Sequence, residues 1–342
     1  MRPTRRKSKP SIRGNIDGCT PSGCAQAGWR EFVTLLGSTP RPRLTLVIGA
    51  GIHQIPQWEC PIAYESGALL GSWNFMLDSV VPKVPGSPCA SLRWDLGVLS
   101  GHSDKPAQER SARAHQTLCQ SVLFAESAVL SKRCSYEPLT SVMRAECVSN
   151  IVSLNFDLTI ERLLLGSVAE LPKPIGKTMI ERRVEIGNCV IWHPHGDRRV
   201  SRGSCLGLRE YALSSIAVES ARSTFKQDER QRSTRRSSPR TWIDLMMSSH
   251  LIFLGTSIDF SEWDIWFSLV NRWRNFAKRA NRKHQPSTFV LTTGTQHAHL
   301  PDQFTRLTAP NWGEGWKWLG AAMNCPHLPW LERKTDTLGK AM

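Results

Sequence analysis

Long apolar runs, paired cysteines and internal repeats are all missing from this chain. Nowhere do apolar residues approach the ~18 in succession that a membrane-spanning helix requires. The basic opening "MRPTRRKSKPSIRG" leads into Gly, Asn, Asp and Cys rather than into an apolar signal core. The expectation is a soluble, cytoplasmic protein with no membrane partner. The ten cysteines are scattered and contain no C-x-x-C pair, which argues against a zinc ribbon or a disulfide scaffold and leaves reduced, mostly buried thiols. The lack of a repeat argues against a solenoid. Acidic residues are scarce in two places. Residues 1–14 hold six basic side chains and no acidic one, and 222–240 hold seven against two. These stretches carry most of the net charge of +15. Both are rich in Ser, Thr, Gln or Pro, so they read as a flexible tail over 1–26 and a flexible loop over 222–240. Nucleic acid is then the less favoured partner.

What is present is enough apolar material for a large core: 342 residues, 40% of them hydrophobic. Five short apolar segments, at 44–48, 151–154, 189–192, 251–254 and 288–291, read as buried strands because each is too short for a helix. Helical patterns lie between them, among them "GWREFVTLL" before the first strand and "SGALLGSWNFMLDSVV" after it. In "EWDIWFSLVNRWRNFAKRA", Trp263, Trp266, Phe267, Val270, Trp273 and Ala277 recur at helical spacing and predict a core-facing stripe. That reading takes the tryptophans as packing rather than as base-stacking platforms. Strands alternating with helices predict an α/β fold, a Rossmann-like parallel sheet with helices on both faces. The stretch 65–149 is too long for one crossover and reads as an inserted, mainly helical lobe within a single domain over 27–342.

The chemistry collects where strands end. "RLTLVIGAGIHQIP" stops its apolar run at Gly49, Ala50 and Gly51, and glycines there let the backbone turn sharply and approach a diphosphate. The other strands run into "NFD", "HPHGD" and "GTS". In a parallel sheet these polar groups converge on one crevice at the carboxyl ends. Singly, each has a plainer reading: Asn155 or Asp157 as a helix cap, His195 as a turn histidine, Ser257 as the cap of the tryptophan-rich helix. His297 and His299, in "TQHAHL", lack Cys or carboxylate neighbours in sequence, and no metal site is expected.

Taken together these segments resemble the SIR2-like family, which includes sirtuin deacylases and bacterial NAD-degrading effectors of anti-phage defence. "VIGAGI" is similar to the family's glycine turn, "SLNFDLTIERLL" to its T-x-N-Y-D-x-x-x-E segment, "WHPHGD" to its His-Gly strand end, and "LIFLGTSIDFSEWDIWFSLV" to its Gly-Thr-Ser segment with an acidic, Trp-containing helix. The resemblance runs from about residue 44 to 320 and is nearest to the bacterial branch. The four-cysteine zinc module of sirtuins has no counterpart, and His53 stands where many sirtuins have Ser.

The resemblance implies an enzyme, an NAD+ glycohydrolase, with NAD as substrate. Gly49, Ala50 and Gly51 would face its diphosphate, and Gly255, Thr256 and Ser257 its adenosine side. Asn155 would orient a ribose hydroxyl or a water, and Asp157 would contact the nicotinamide carboxamide. His195 is the expected general base, because an imidazole titrating near neutrality both accepts and returns a proton. His193 ranks below it. Tyr211, in "LGLREY", has at most an anchoring role. Two alternatives stay open: a sirtuin-type deacylase or ADP-ribosyltransferase using the same residues, and a non-catalytic NAD or ADP-ribose sensor with nucleic-acid contacts. With little chain left for a sensor domain, control is expected to come from self-assembly as a homo-oligomer or from a separate sensor protein.

Overall fold

Seven strands lie side by side in one sheet: β1 (Leu44–Ile48), β2 (Val148–Ser153), β3 (Arg183–Ile186), β4 (Cys189–Trp192), β5 (His250–Leu254), β6 (Thr288–Thr293) and β7 (Thr305–Ala309). Their order is β3-β4-β2-β1-β5-β6-β7. Every pair is parallel except β3 with β4. Without the edge strand β3, the parallel strands follow the 3-2-1-4-5-6 order of a doubly wound sheet, whose direction of growth reverses between β1 and β5. This computed structural model describes residues 23–55, 73–78, 80–81, 89–100, 106–131, 136–166, 170–199, 204–231, 239–258, 262–277, 285–294, 297 and 299–325.

The five expected strands are all present, two of them with the expected bounds and three extended by one to three residues at an end. Leu154 falls just past β2 rather than inside it. The strands without an expectation, β3 and β7, are the two sheet edges. An edge strand buries fewer of its side chains, so "RVEI" and "TRLTA" carry no continuous apolar run.

Alternation along the central strands divides the core in two. Leu44, Leu46 and Ile48 of β1 join Ile252 and Leu254 of β5 on one face, while Val47, Leu251 and Phe253 point to the other. The first face is covered by α1 (Gly23–Leu36), by α5 (Glu137–Met143) and by α10 (Trp312–Asn324). Helices of the long insertion, α2 (Trp73–Asp78), α3 (Ala90–Ser100) and α4 (Ala107–Leu130), place Met76, Trp94 and Leu118 in that same cluster. The insertion therefore shares the core of the sheet rather than closing one of its own. The second face is covered by α8 (Trp242–Ser248) and α9 (Trp263–Ala277), with Val218 of α7 (Leu208–Gln231). The remaining helix, α6 (Thr159–Leu165), follows β2 directly.

Three expectations are corrected. The stripe of α9 that meets the sheet is Ile265, Ser268, Leu269 and Arg272, not the aromatic one. Trp263 and Phe267 are about half exposed, at 51% and 49%. Trp266 and Trp273 are partly buried and meet Phe304 edge to face. The helix is turned by its narrower aliphatic row, and Arg272 fits into that row because its guanidinium donates to the carbonyls of Met246, Pro286 and Ser287. The basic stretch 222–240 is not one loop, since α7 continues as helix to Gln231; 232–238 lie outside the described residues. Of the expected tail, 1–22 lie outside the described residues, and the rest already belongs to α1. No helix among the described residues is long and apolar enough to cross a membrane.

Candidate functional site at the carboxyl ends of the strands

The turns after β1 and β5 interlock. Gly49 N–H donates to Leu254 O (3.0 Å) and Gly51 N–H to Gly255 O (2.6 Å). A Cβ on Gly51 would stand 2.7 Å from Gly255 O, and one on Gly49 would stand 2.6 Å from the Thr256 Cβ. Gly255 itself adopts φ +61°, with Ile52 N only 2.6 Å from where its own Cβ would be. The glycines are thus required by backbone crowding at the switch point. Two of the three N–H groups expected to meet a diphosphate are spent within the fold. Ala50 opens the short 3-10 turn Ala50–Gln54. The Thr256 hydroxyl accepts from Ile258 N–H (3.1 Å), Thr256 O accepts from His297 Nε2 (2.8 Å), and Ser257 is exposed.

Asn155 and His195 reach this crevice from neighbouring strands. The last paired rung is Val152 with Trp192, so both residues stand three positions past it. They are 3% and 1% exposed. Among the described residues, neither the amide nitrogen nor the amide oxygen of Asn155 has a hydrogen-bond partner, and neither does His195 Nδ1. Buried polar atoms left open cost stability, about 1–3 kcal/mol each, so each calls for a partner, which a water, an ion or a ligand can supply.

The other edge of the His195 ring is fully engaged. Nε2 lies 3.2 Å from Asp264 Oδ1 and 3.5 Å from Glu262 Oε2. Ser214 Oγ donates to Asp264 Oδ2 (2.8 Å), and the Tyr211 ring packs 5.0 Å from the imidazole. Burial opposes a charge on His195, but the two carboxylates prevail and raise its pKa to about 9. Tyr211 thus touches the expected base, whereas Asp264, Glu262 and Ser214 were not anticipated. The signal for the two acids was the pair in "EWD" at the head of α9, while Ser214, within α7, left none. His195, Glu262 and Asp264 present ligand-type atoms within 4.8 Å of one another. In this structure Nε2 meets the two carboxylates as an ion pair.

Two more imidazole–carboxylate pairs flank the crevice. His53 Nε2 meets Asp157 Oδ2 at 3.0 Å, and its Nδ1 lies 3.2 Å from the Tyr136 hydroxyl. Asp157 also accepts from Thr159 N–H (2.9 Å). Burial would raise its carboxyl, yet His53 beside it holds the pKa down at about 2. Asp157 is therefore largely occupied in fixing the β2–α6 turn, leaving little of its carboxylate for a carboxamide. His193 Nε2 meets Glu161 at 2.6 Å, which makes it a packing residue. Around this pair Arg199 joins Asp197 (2.8 Å). Arg198 makes a two-pronged bond to Glu126 of α4, at 2.8 Å for each prong. Glu126 also accepts from Leu158 N–H (2.7 Å), so the insertion holds the turns that carry both Asn155 and His195.

The chain matches no protein-family model and no curated protein.

Proposed function

We propose that this protein is a SIR2-like NAD+ glycohydrolase, cleaving the nicotinamide–ribose bond to give nicotinamide and ADP-ribose. The observation that carries this reading is the set of three open buried atoms, Asn155 Nδ2 and Oδ1 and His195 Nδ1, at the carboxyl ends of adjacent strands beside the switch point. Such a crevice suits a dinucleotide. The bond to be broken has a cationic leaving group, so it needs a held oxocarbenium-like state more than a strong acid. An uncharged amide such as Asn155 orients a ribose hydroxyl or a water without taking its proton. Neutral His195 receives the proton of the attacking water as its oxygen bonds to the anomeric carbon and nicotinamide departs with the bonding pair. The Thr256 hydroxyl accepts one hydrogen bond within the fold and keeps its own proton to donate to the adenosine side.

The test is nicotinamide and ADP-ribose release from NAD by the purified chain, with His195→Ala and Asn155→Ala beside it, with and without an acetylated peptide. Peptide-independent release abolished by both substitutions supports the hydrolase. Release that requires the peptide makes the protein a deacylase, and tight binding of NAD or ADP-ribose without turnover makes it a sensor.

A further inference from the structure

Asp264 is fully buried, and its hydrogen bonds converge from three separate segments. His195 comes from the turn after β4 and Ser214 from α7, while Ile265 N–H (2.9 Å) belongs to α9 itself. A carboxylate needed only to start the helix would require the last of these alone. The remaining two tie the expected base to a hydroxyl across an apolar interface, with Glu262 as a second acid on the same ring nitrogen.

We propose that Asp264 is the positioning residue of this site: it anchors His195 through Nε2 and leaves Nδ1 as the edge available to a ligand. The proposal rests on the hydrolase reading for its kinetic consequence but not for its structural one. A cationic imidazole cannot accept a proton from water, so only the neutral fraction of His195 supports hydrolysis. With the pKa raised to about 9, that fraction is on the order of 1% at pH 7. The water proton passes to Nδ1 of neutral His195 and then to solvent, so each turnover releases one proton.

The groups facing His195 fit this account. From α9 comes Asp264 and from the residue just before that helix Glu262, both of which favour the cation. From α7 comes Tyr211, and from the segment before it Cys205, whose N–H donates to His195 O (2.8 Å). Burial pushes both of these upward, so they stay neutral and leave the carboxylates unopposed. The Leu154 backbone, next to Asn155, adds to the same bias.

The experiment is a histidine-selective NMR titration of the full chain, with His195→Gln assigning the signal among ten histidines. Wild type, Asp264→Asn and Ser214→Ala are compared, and kcat/KM for NAD is followed over the same pH range. His195 is expected to titrate near 9 in the wild type and about one to two pH units lower in Asp264→Asn, with a smaller downward shift in Ser214→Ala. The rise of kcat/KM with pH is expected to move in step. A wild-type His195 titrating near its ordinary value, or one unmoved by the substitutions, overturns the proposal. If Asp264→Asn does not fold, the wild-type midpoint and Ser214→Ala decide. A shifted His195 in a chain that leaves NAD intact upholds the positioning role and rejects the hydrolase, whereas hydrolysis independent of pH between 6 and 9 does the reverse.

Discussion

At the amino ends of β5 and β6 the buried cation Arg272 gives its hydrogens to three backbone carbonyls, whereas at the carboxyl ends of β1, β2 and β4 the buried imidazoles of His53, His193 and His195 each lean on a carboxylate. Carbonyls accept hydrogen bonds without exchanging protons, and a guanidinium gives up its proton only at high pH. Even so, burial lowers Arg272 to about 9. The amino end is therefore chemically inert and exists to hold α9 against the sheet. An imidazole–carboxylate pair, in contrast, can hand a proton over. One end of the sheet uses charge as a fastener, and the other keeps it mobile.

The sharpest way to separate the ends is by what each loses on substitution. His195→Ala is expected to lower nicotinamide release per folded molecule by about 10²- to 10⁴-fold, the range of a general base, and also to destabilise the fold, because the buried Asp264 carboxylate loses its counter-ion. Arg272→Met is expected to act on stability alone, destabilising the fold by about 3 kcal/mol because three carbonyls lose their donor while turnover per folded molecule is unchanged. A large loss of turnover in the second variant, measured after correction for the folded fraction, would break the comparison. Gly255→Ala tests where the division blurs, since this glycine belongs to the reactive end but serves packing. Its φ of +61° and the close Ile52 N predict a loss of about 1–3 kcal/mol, read by thermal melting, together with weaker NAD binding.

The smallest effects are on pH dependence, and there the two ends have opposite signs. His195 is raised to about 9 in the fold, so its stabilising contribution is complete below about 6.5 and is lost as pH rises through 9. His250, at the amino end, is lowered to about 4, by burial first and by Arg272 second. Its contribution is present above about 6.5 and is lost as pH falls through 4. Denaturation midpoints measured from pH 4 to 10 are expected to show a gentler alkaline decline in His195→Gln and a gentler acid decline in His250→Gln. Identical profiles for the two variants would remove the distinction.

Much of the carboxyl end was legible because its residues are consecutive along the chain. Apolar runs that stop at "GAG", "NFD", "HPHGD" and "GTS" announce both the strands and what they carry. Asn155 and His195 each stand three positions past the last paired rung of β2 and β4, a register that strand order and the family resemblance suggested but the sequence does not state. Less legible was anything set by orientation about an axis. The aromatic residues of α9 outnumber its aliphatic ones, yet Ile265 and Leu269 face the sheet, and with them Asp264 turns to His195. The glycine turns were read for ligand approach when their nearest neighbours are one another. That pairing joins segments about 200 residues apart and leaves no local trace in either. Edge strands β3 and β7 escaped because half-buried strands need few apolar residues.

The interlocked turns also constrain the order in which the molecule can be made. Ile48 and Leu254 pair in the centre of the sheet, yet nearly the whole chain between them must be threaded through β2, β3, β4 and the insertion before they meet. Closing so long a loop carries an entropic cost, and it is offset only once the flanking strands have docked. During synthesis the amino-terminal portion through β4 emerges well before β5, with the floor of the crevice still unmade. Whatever reactivity the crevice holds is thereby withheld from the nascent chain and arrives only with the finished fold.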